Sequence, residues 1–536
     1  MKTVQVKNVR SLKDTGRISL SPITILVGEN SSGKSTFLRL FPLIRQSIQK
    51  KTNGPLLWAG DMDDYVDFGS YNETVTNDGS KSMSVGFTFD LFPGLDHYGY
   101  YYFVTREIHR SDSPLSIHYI IDIKQAADSK EYVSKLMVEV NDIPFEINYN
   151  SGGKVNSIKV EGDTINYTIP DSKVRDSESY YFWQAGGYTG VFGGLMPDVS
   201  VLLRDTYEKL LKTNDEKKDP YSRSLEISMF LIGNELVKHK SLAEIEEDFL
   251  SQLSLQKEVE SRGLIKDAVD VINRLRKTNK SFYSEVERII KLFFLYVMFM
   301  EIESYIDTYF RQVHYIAPLR ATAERYYRLR NSAIDEVDYQ GKNLAIFLNS
   351  LPSKRMGEFQ KWTMEHFGFK TVVQKTEGHL SVNVVEEGQS SQINLSDSGF
   401  GYSQILPIIT QLWELSSRNK GHSRSEQVVP LVVAIEQPEL HLHPAMQAKL
   451  AEAFIACLSL AANNGYCLQL LLETHSETII NYLGRAVERK RINPQDVSVV
   501  LFERDKRSLF SQVKKSGFDE EGYLINWPIG FFEPEE

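Results

Sequence analysis

An α/β fold, with an antiparallel β lobe and a helical block set between two halves of one core, is predicted by three observations on this 536-residue sequence. The strand-like run ITILVG, Ile23 to Gly28, leads straight into GENSSGKST and then into an apolar helical stretch. Far downstream, the hydrophobic run VVPLVVAIE ends in a carboxylate at Glu436. Between them, from Ser82 to about residue 169, short alternating runs are separated by turn pairs such as Asn141-Asp142 and Gly152-Gly153. That is the pattern of an antiparallel meander.

Composition limits what such a chain can be. Hydrophobic residues at 41% and charged residues at 25% leave ample material for a core and exclude collagenous, wholly disordered and disulfide-scaffold classes. The formal charge of −10 argues against a uniformly basic coat on nucleic acid, though not against local basic patches. Cys457 and Cys467 are the only cysteines, which suits a reducing compartment and supplies no cysteine zinc site. The start MKTVQVKNVRSLKDTG lacks the apolar core of a signal peptide. The most apolar run, Leu292 to Met300, is far shorter than the ~20 residues that span a bilayer. A cytoplasmic protein without membrane contact is the expectation, with Leu292 to Met300 as a buried helix.

The elements follow in order. Val4, Val6 and Val9 alternate as a strand, ITILVG is a second, and Ser35 to Lys50 reads as a helix. The meander includes MSVGFTFDLF, YYFVTREI, SIHYIIDI, KLMVEV, FEINYN and NYTI. From about residue 198 to Arg311 the chain turns helical, with Pro220 as its one breaker and no heptad long enough for an extended coiled coil. After Val313, strands such as TVVQKTE, LSVNVVEE, GYCLQLLLE and VSVVLFER alternate with helices. This divides the chain into an N-terminal lobe (1–197) with the glycine-rich loop and meander, a helical insertion (198–311) and a C-terminal lobe (312–536).

GENSSGKST satisfies G-x-x-x-x-G-K-[ST] between a strand and a helix, the context a phosphate-binding loop requires. Asn30, Ser31, Ser32, Gly33, Lys34, Ser35 and Thr36 are the candidate ATP-binding residues. Backbone N–H groups would curl round the phosphates, Lys34 would reach the β/γ-phosphates and the Ser35 hydroxyl would hold Mg²⁺. Glu436, at the end of a buried strand, is placed to stand beside that Mg²⁺. Glu439 either activates water or stabilises a helix start. His441 and His443 alternate but lack a third ligand of suitable spacing, so a packed turn is the better reading.

In NLSDSGFGYSQILPII, Ser396, Ser398, Gly399 and Gly401 precede an apolar helix. They offer a second set of N–H groups at a helix start, addressed either to phosphates held elsewhere or to a plain cap. His475, at the edge of the strand LQLLLE, is a candidate γ-phosphate sensor.

The order of these motifs (phosphate loop, glycine-serine element, acidic strand, histidine) resembles that of ABC-type ATPases carrying a large insertion. ITILVGENSSGKST and PELHLHP look like RecF, SMC and OLD-type heads. The fold implied is therefore an α/β, ABC-type (RecF/SMC-like) P-loop ATPase head with an antiparallel β lobe and a helical insertion. HYIAPLRATAERYY, IEQPELHLHP, NWPIGFF and DFGSYNETV together resemble the PtuA-like ATPase subunit of Septu-type antiphage systems, which also occurs with some retrons.

The resemblance implies paired ATP-bound heads, as a homodimer or higher homo-oligomer. Ser398, Gly399 and Gly401 of one copy would then contact nucleotide held at Lys34 of another. It also implies a separate HNH-type, PtuB-like nuclease that the ATPase senses for or scaffolds, and a retron reverse transcriptase with its RNA–DNA as a further partner. The sequence departs from the ABC pattern at Gln437, where a catalytic glutamate is usual, and at His443, where an aspartate is usual. Hydrolysis is then slow or relies on Glu439.

No HNH, H-E-x-x-H or G-x-S-x-G pattern is present, and no intrinsic nuclease is expected. Arg320, Arg325, Arg328 and Arg330 lie near Tyr326 and Tyr327, and the stretch Gly484 to Lys515 is rich in basic residues. These are nucleic-acid candidates, against solvated faces or, for Arg320, a residue lining the ATP site. Two other functions stay open: a RecF/SMC-like DNA-repair or chromosome-maintenance ATPase, and a nucleotide-dependent scaffold with little hydrolysis.

Overall fold

The structure is a computed structural model and describes residues 1–50, 52–61, 64–76, 81–92, 114–165, 188–193, 195–196, 202, 277, 280–329, 334, 336–418, 429–504 and 510–528. Of the sequence expectations, YYFVTREI, NYTI, Arg330, the end of NWPIGFF and nearly all of 198–279 lie outside these residues.

The organising element is a seven-stranded sheet in the order Val313–Ile316, Leu431–Glu436, Leu468–Glu473, Ile23–Gly28, Val497–Arg504, Ser511–Phe518, Leu524–Ile525. The first five strands are parallel and the last two antiparallel. Ile23–Gly28, Leu431–Glu436 and Leu468–Glu473 are buried at every residue. Their unbroken apolar runs are what a parallel strand covered on both faces requires. Successive side chains point to opposite faces, and the two faces feed two cores. Leu26, Val432, Ala434 and Leu471 join one core, while Ile25, Val27, Val433, Ile435 and Leu472 join the other.

The first core lies under an antiparallel nine-stranded sheet that runs from Asp163–Ile165 at one edge through the meander to Thr3–Val9 and Leu12–Asp14. It takes in the phosphate-loop helix Lys34–Gln49 and the helix Lys280–Arg311. The second helix, which the sequence assigned to the insertion, is apolar all round in its middle, with charged and exposed residues toward its ends. Leu292 to Tyr296, Met298 and Phe299 are buried, so this run is covered by its own chain. Polar ties fix it to the lobe: Arg288 meets Asp163 at 2.7 Å, the Tyr119 hydroxyl donates to Glu303 at 2.7 Å, and the Met1 ammonium donates to the Tyr305 hydroxyl at 2.6 Å.

The second core is covered by Phe400–Ser416, Pro444–Asn463 and Glu477–Glu488 and by a four-stranded antiparallel sheet built on Phe369–Thr376 and His379–Glu386. Pro444–Asn463 is long and apolar enough, by length and composition, to cross a membrane. Leu450, Phe454, Cys457 and Ala461 on that helix are nonetheless packed into this core.

Candidate nucleotide site

The C-terminal ends of the parallel strands bring Ser32, Lys34, Glu436, Gln437, Glu439, Glu473 and His475 to one edge. Strand Ile23–Gly28 stops at Gly28, where a Cβ would run into the Phe502 carbonyl of the next strand, so only glycine fits. Gly33 caps the following helix with φ 95°, and a Cβ there would press on Leu12 and Ser11. No side chain caps that helix. Its first-turn N–H groups have no intrahelical acceptor and give the loop a positive end.

Lys34 is buried, and its ammonium donates to the Gly28 and Glu29 carbonyls at 2.9 and 2.6 Å; burial holds its pKa below the usual lysine range. Ser32 is fully buried with no partner for its hydroxyl. Asn30 and Ser31 are exposed and Thr36 is buried.

Two carboxylates stand side by side. Glu436 and Glu473 end neighbouring parallel strands and are paired in register. Glu436 receives Arg39 in a two-pronged contact, Nε to Oε1 and Nη2 to Oε2, both at 2.7 Å, and the Tyr315 hydroxyl at 2.8 Å. The carboxylate raises the Arg39 pKa in return. The Ser35 hydroxyl donates at 2.7 Å to Glu473 and not to Glu436. The other oxygen of Glu473 is buried without a partner, and burial followed by the neighbouring Glu436 pushes its pKa up to about 7.

Beyond the strand ends, the loops are cross-tied. Gln437 takes a left-handed backbone (φ 44°), and its N–H donates to the Glu473 carbonyl at 2.8 Å. Glu439 accepts from the Thr474 hydroxyl and the His475 N–H, each at 2.8 Å, and burial raises its pKa. With both oxygens engaged, it acts as a clamp between the acidic loop and the loop carrying Thr474 and His475. His475 is exposed as a residue, and partial loss of water around its ring, followed by the charge of Lys34, lowers its pKa.

Arg320 does not share a surface with Arg325 and Arg328. It is 6% exposed and donates to the Glu436 and Gln437 carbonyls at 3.1 and 3.2 Å, behind the acidic loop. Burial lowers its pKa to about 10.

The glycine-serine segment belongs to the other lobe. Gly399 (φ 82°) caps Phe400–Ser416 without a side-chain bond. The Ser398 hydroxyl donates to Leu395, and that of Ser396 to Asn394. Gly401 lies in the first turn with open space around it. Arg325, read from sequence as a nucleic-acid candidate, bonds both oxygens of Asp397 in this segment through a single nitrogen, Nη2, at 2.7 Å. Arg328 is exposed, on a short strand beside His379–Glu386. His443 caps Pro444–Asn463, its Nδ1 accepting from Ala445, as a packed turn requires. Among the described residues no group of three or more His, Cys, Asp or Glu is arranged to hold a metal.

Sequence reasoning missed Glu473 and Arg39. The signal for Glu473 was present: LQLLLE is a second buried strand ending in glutamate, the same feature that singled out Glu436. Arg39 had no local signal, because its partner is remote in sequence.

A phosphate loop on the central strand, with the acidic strand two places away and the histidine strand between them, defines an α/β P-loop ATPase core. The chain belongs to a family described as AAA ATPase domain, whose model matches residues 1–189 and 233–480. Membership carries nucleotide binding with it. Among solved structures the chain is similar to "SMC head domain from Thermotoga maritima", at 10% identity and a TM-score of 0.31, over 96% of this chain and 98% of that one. No curated protein matches.

Proposed function

We propose that the chain binds ATP with Mg²⁺ at this edge, hydrolyses it slowly, and serves as the controlling ATPase subunit of an antiphage complex whose nuclease is a separate HNH-type protein. The observation that carries the ATP reading is the buried Lys34 on a glycine-bounded loop, flanked by two buried polar atoms without partners, on Ser32 and Glu473. A di- or triphosphate would take over the Lys34 ammonium from the loop carbonyls and meet the loop N–H groups. Mg²⁺, when bound, would neutralise phosphate charge beside Ser35 and the two strand-end carboxylates. Heads would pair so that Ser396, Ser398, Gly399 and Gly401 of one copy address nucleotide held by another. The defence role, the nuclease partner and a retron RNA–DNA rest on the four PtuA-like sequence stretches.

Slow turnover, and with it a largely scaffolding role, is favoured by a specific observation. Gln437 is a poor base, and both oxygens of Glu439 already accept hydrogen bonds. The test has two arms. Steady-state and single-turnover hydrolysis should give a slow rate that Lys34→Ala abolishes. Co-expression with the product of the adjacent gene should recover an HNH-type nuclease whose cutting depends on nucleotide. Fast hydrolysis, or cutting by this chain alone that survives Lys34→Ala, contradicts the proposal.

A further inference from the structure

The two strand-end carboxylates are neighbours with opposite surroundings. Glu436 has a donor on each oxygen, three in all, two from the Arg39 guanidinium and one from Tyr315. A cation at its Oε2 would sit against the Arg39 guanidinium already bonded there, so like-charge repulsion opposes metal binding at Glu436. Displaced, Arg39 would be left half-buried without its counter-charge.

Glu473 is 4% exposed and has one oxygen on the Ser35 hydroxyl and the other on nothing. Leaving a buried polar atom unpaired costs about 1–3 kcal/mol, and more for a charged one. Among the charges that favour its ionised form, the phosphate-loop Lys34 comes first, yet that ammonium is bonded to Gly28 and Glu29. The empty acceptor and the serine hydroxyl that a phosphate loop turns toward its metal therefore meet at Glu473.

Building on the ATP reading above, we propose that Glu473 is the carboxylate that holds the nucleotide's divalent cation with Ser35, while Glu436 is the fixed counter-charge of Arg39. The labour assigned to one strand-end acid is thus divided between two adjacent strands. It follows that the strand carrying the histidine also carries the metal-facing acid, so cation binding bears directly on the Glu473–Thr474–His475 edge and, through Glu439, on the acidic loop.

The test uses Mn²⁺ as the probe, with free Mn²⁺ read by electron paramagnetic resonance in the presence of excess ATPγS, on the full chain. Affinity for a fluorescent ATP analogue in EDTA serves as the control that the loop is intact. Glu473→Gln should bind metal-free nucleotide like the wild type but lose about tenfold or more in Mn²⁺ affinity, since an anionic ligand becomes a neutral amide. Glu436→Gln alone would strand Arg39, so the comparison is the double variant Arg39→Met with Glu436→Gln, which removes both charges together. It should keep Mn²⁺ affinity within about threefold, roughly 0.6 kcal/mol. Wild-type Mn²⁺ affinity in Glu473→Gln, or a comparable loss in both variants, overturns the division of roles. Failure of the wild type to bind nucleotide at all would instead defeat the ATP reading on which it rests.

Discussion

Glu303, inside the antiparallel lobe, and Glu473, at the edge of the parallel sheet, are both buried acids whose pKa loss of water pushes up to about 7. Their partners differ. Glu303 has one oxygen on the Tyr119 hydroxyl and the other on the Val191 N–H, at 2.7 and 2.5 Å. It ties the long helix to the meander, with a donor on each oxygen. Glu473 has an open oxygen facing a phosphate loop. The same burial thus serves packing in one lobe and leaves an open acceptor in the other. The distinction lies in whether both oxygens have a donor, not in the acidity.

The largest effect that would sharpen this contrast is on pH dependence. The folded-state pKa of Glu303 lies above its unfolded value of 4.5, so the folded chain binds the extra proton. Its contribution to stability is fully present below pH ~4.5 and is lost as pH rises through about 7, on the order of 3 kcal/mol in all. Glu303→Gln, whose amide can accept from Val191 while donating to the Tyr119 oxygen, should flatten that fall without altering nucleotide affinity. Urea midpoints of the ligand-free chain between pH 5 and 8 measure it. An unchanged slope would mean that Glu303 is not a buried, protonatable tie.

A smaller effect is expected at Arg39. Removing it by Arg39→Ala leaves Glu436 buried with only Tyr315, which for a fully buried pair costs 3–5 kcal/mol. The Arg39 side chain is 33% exposed, and solvent screening reduces the loss to about 2 kcal/mol. Chemical denaturation at pH 7.5 reads this directly. A loss of nucleotide-dependent Mn²⁺ binding without any loss of stability would instead place Arg39 and Glu436 in the cation site.

What was legible in the sequence was local. The phosphate loop is a contiguous motif whose glycines are demanded by backbone geometry, and GENSSGKST showed it in full. The meander was visible through its period of two, and the buried run Leu292 to Met300 through its composition. Long-range partnerships were not visible. Nothing near Arg325 announces Asp397, and nothing near Arg320 announces that it will be buried behind Glu436, because both follow from how loops fold back over the sheet edge. Glu473 was a failure of a different sort. Its strand, a buried apolar run ending in glutamate, carries the same signal as that of Glu436.

The central claim is that the parallel-sheet edge is an ATP site built on Lys34, and equilibrium binding tests it most directly. Titration of the purified chain with a fluorescent ATP analogue in Mg²⁺ should show saturable binding, and Lys34→Ala should weaken it by about a hundredfold, near 2.7 kcal/mol. Equal affinity in the two proteins would contradict the account.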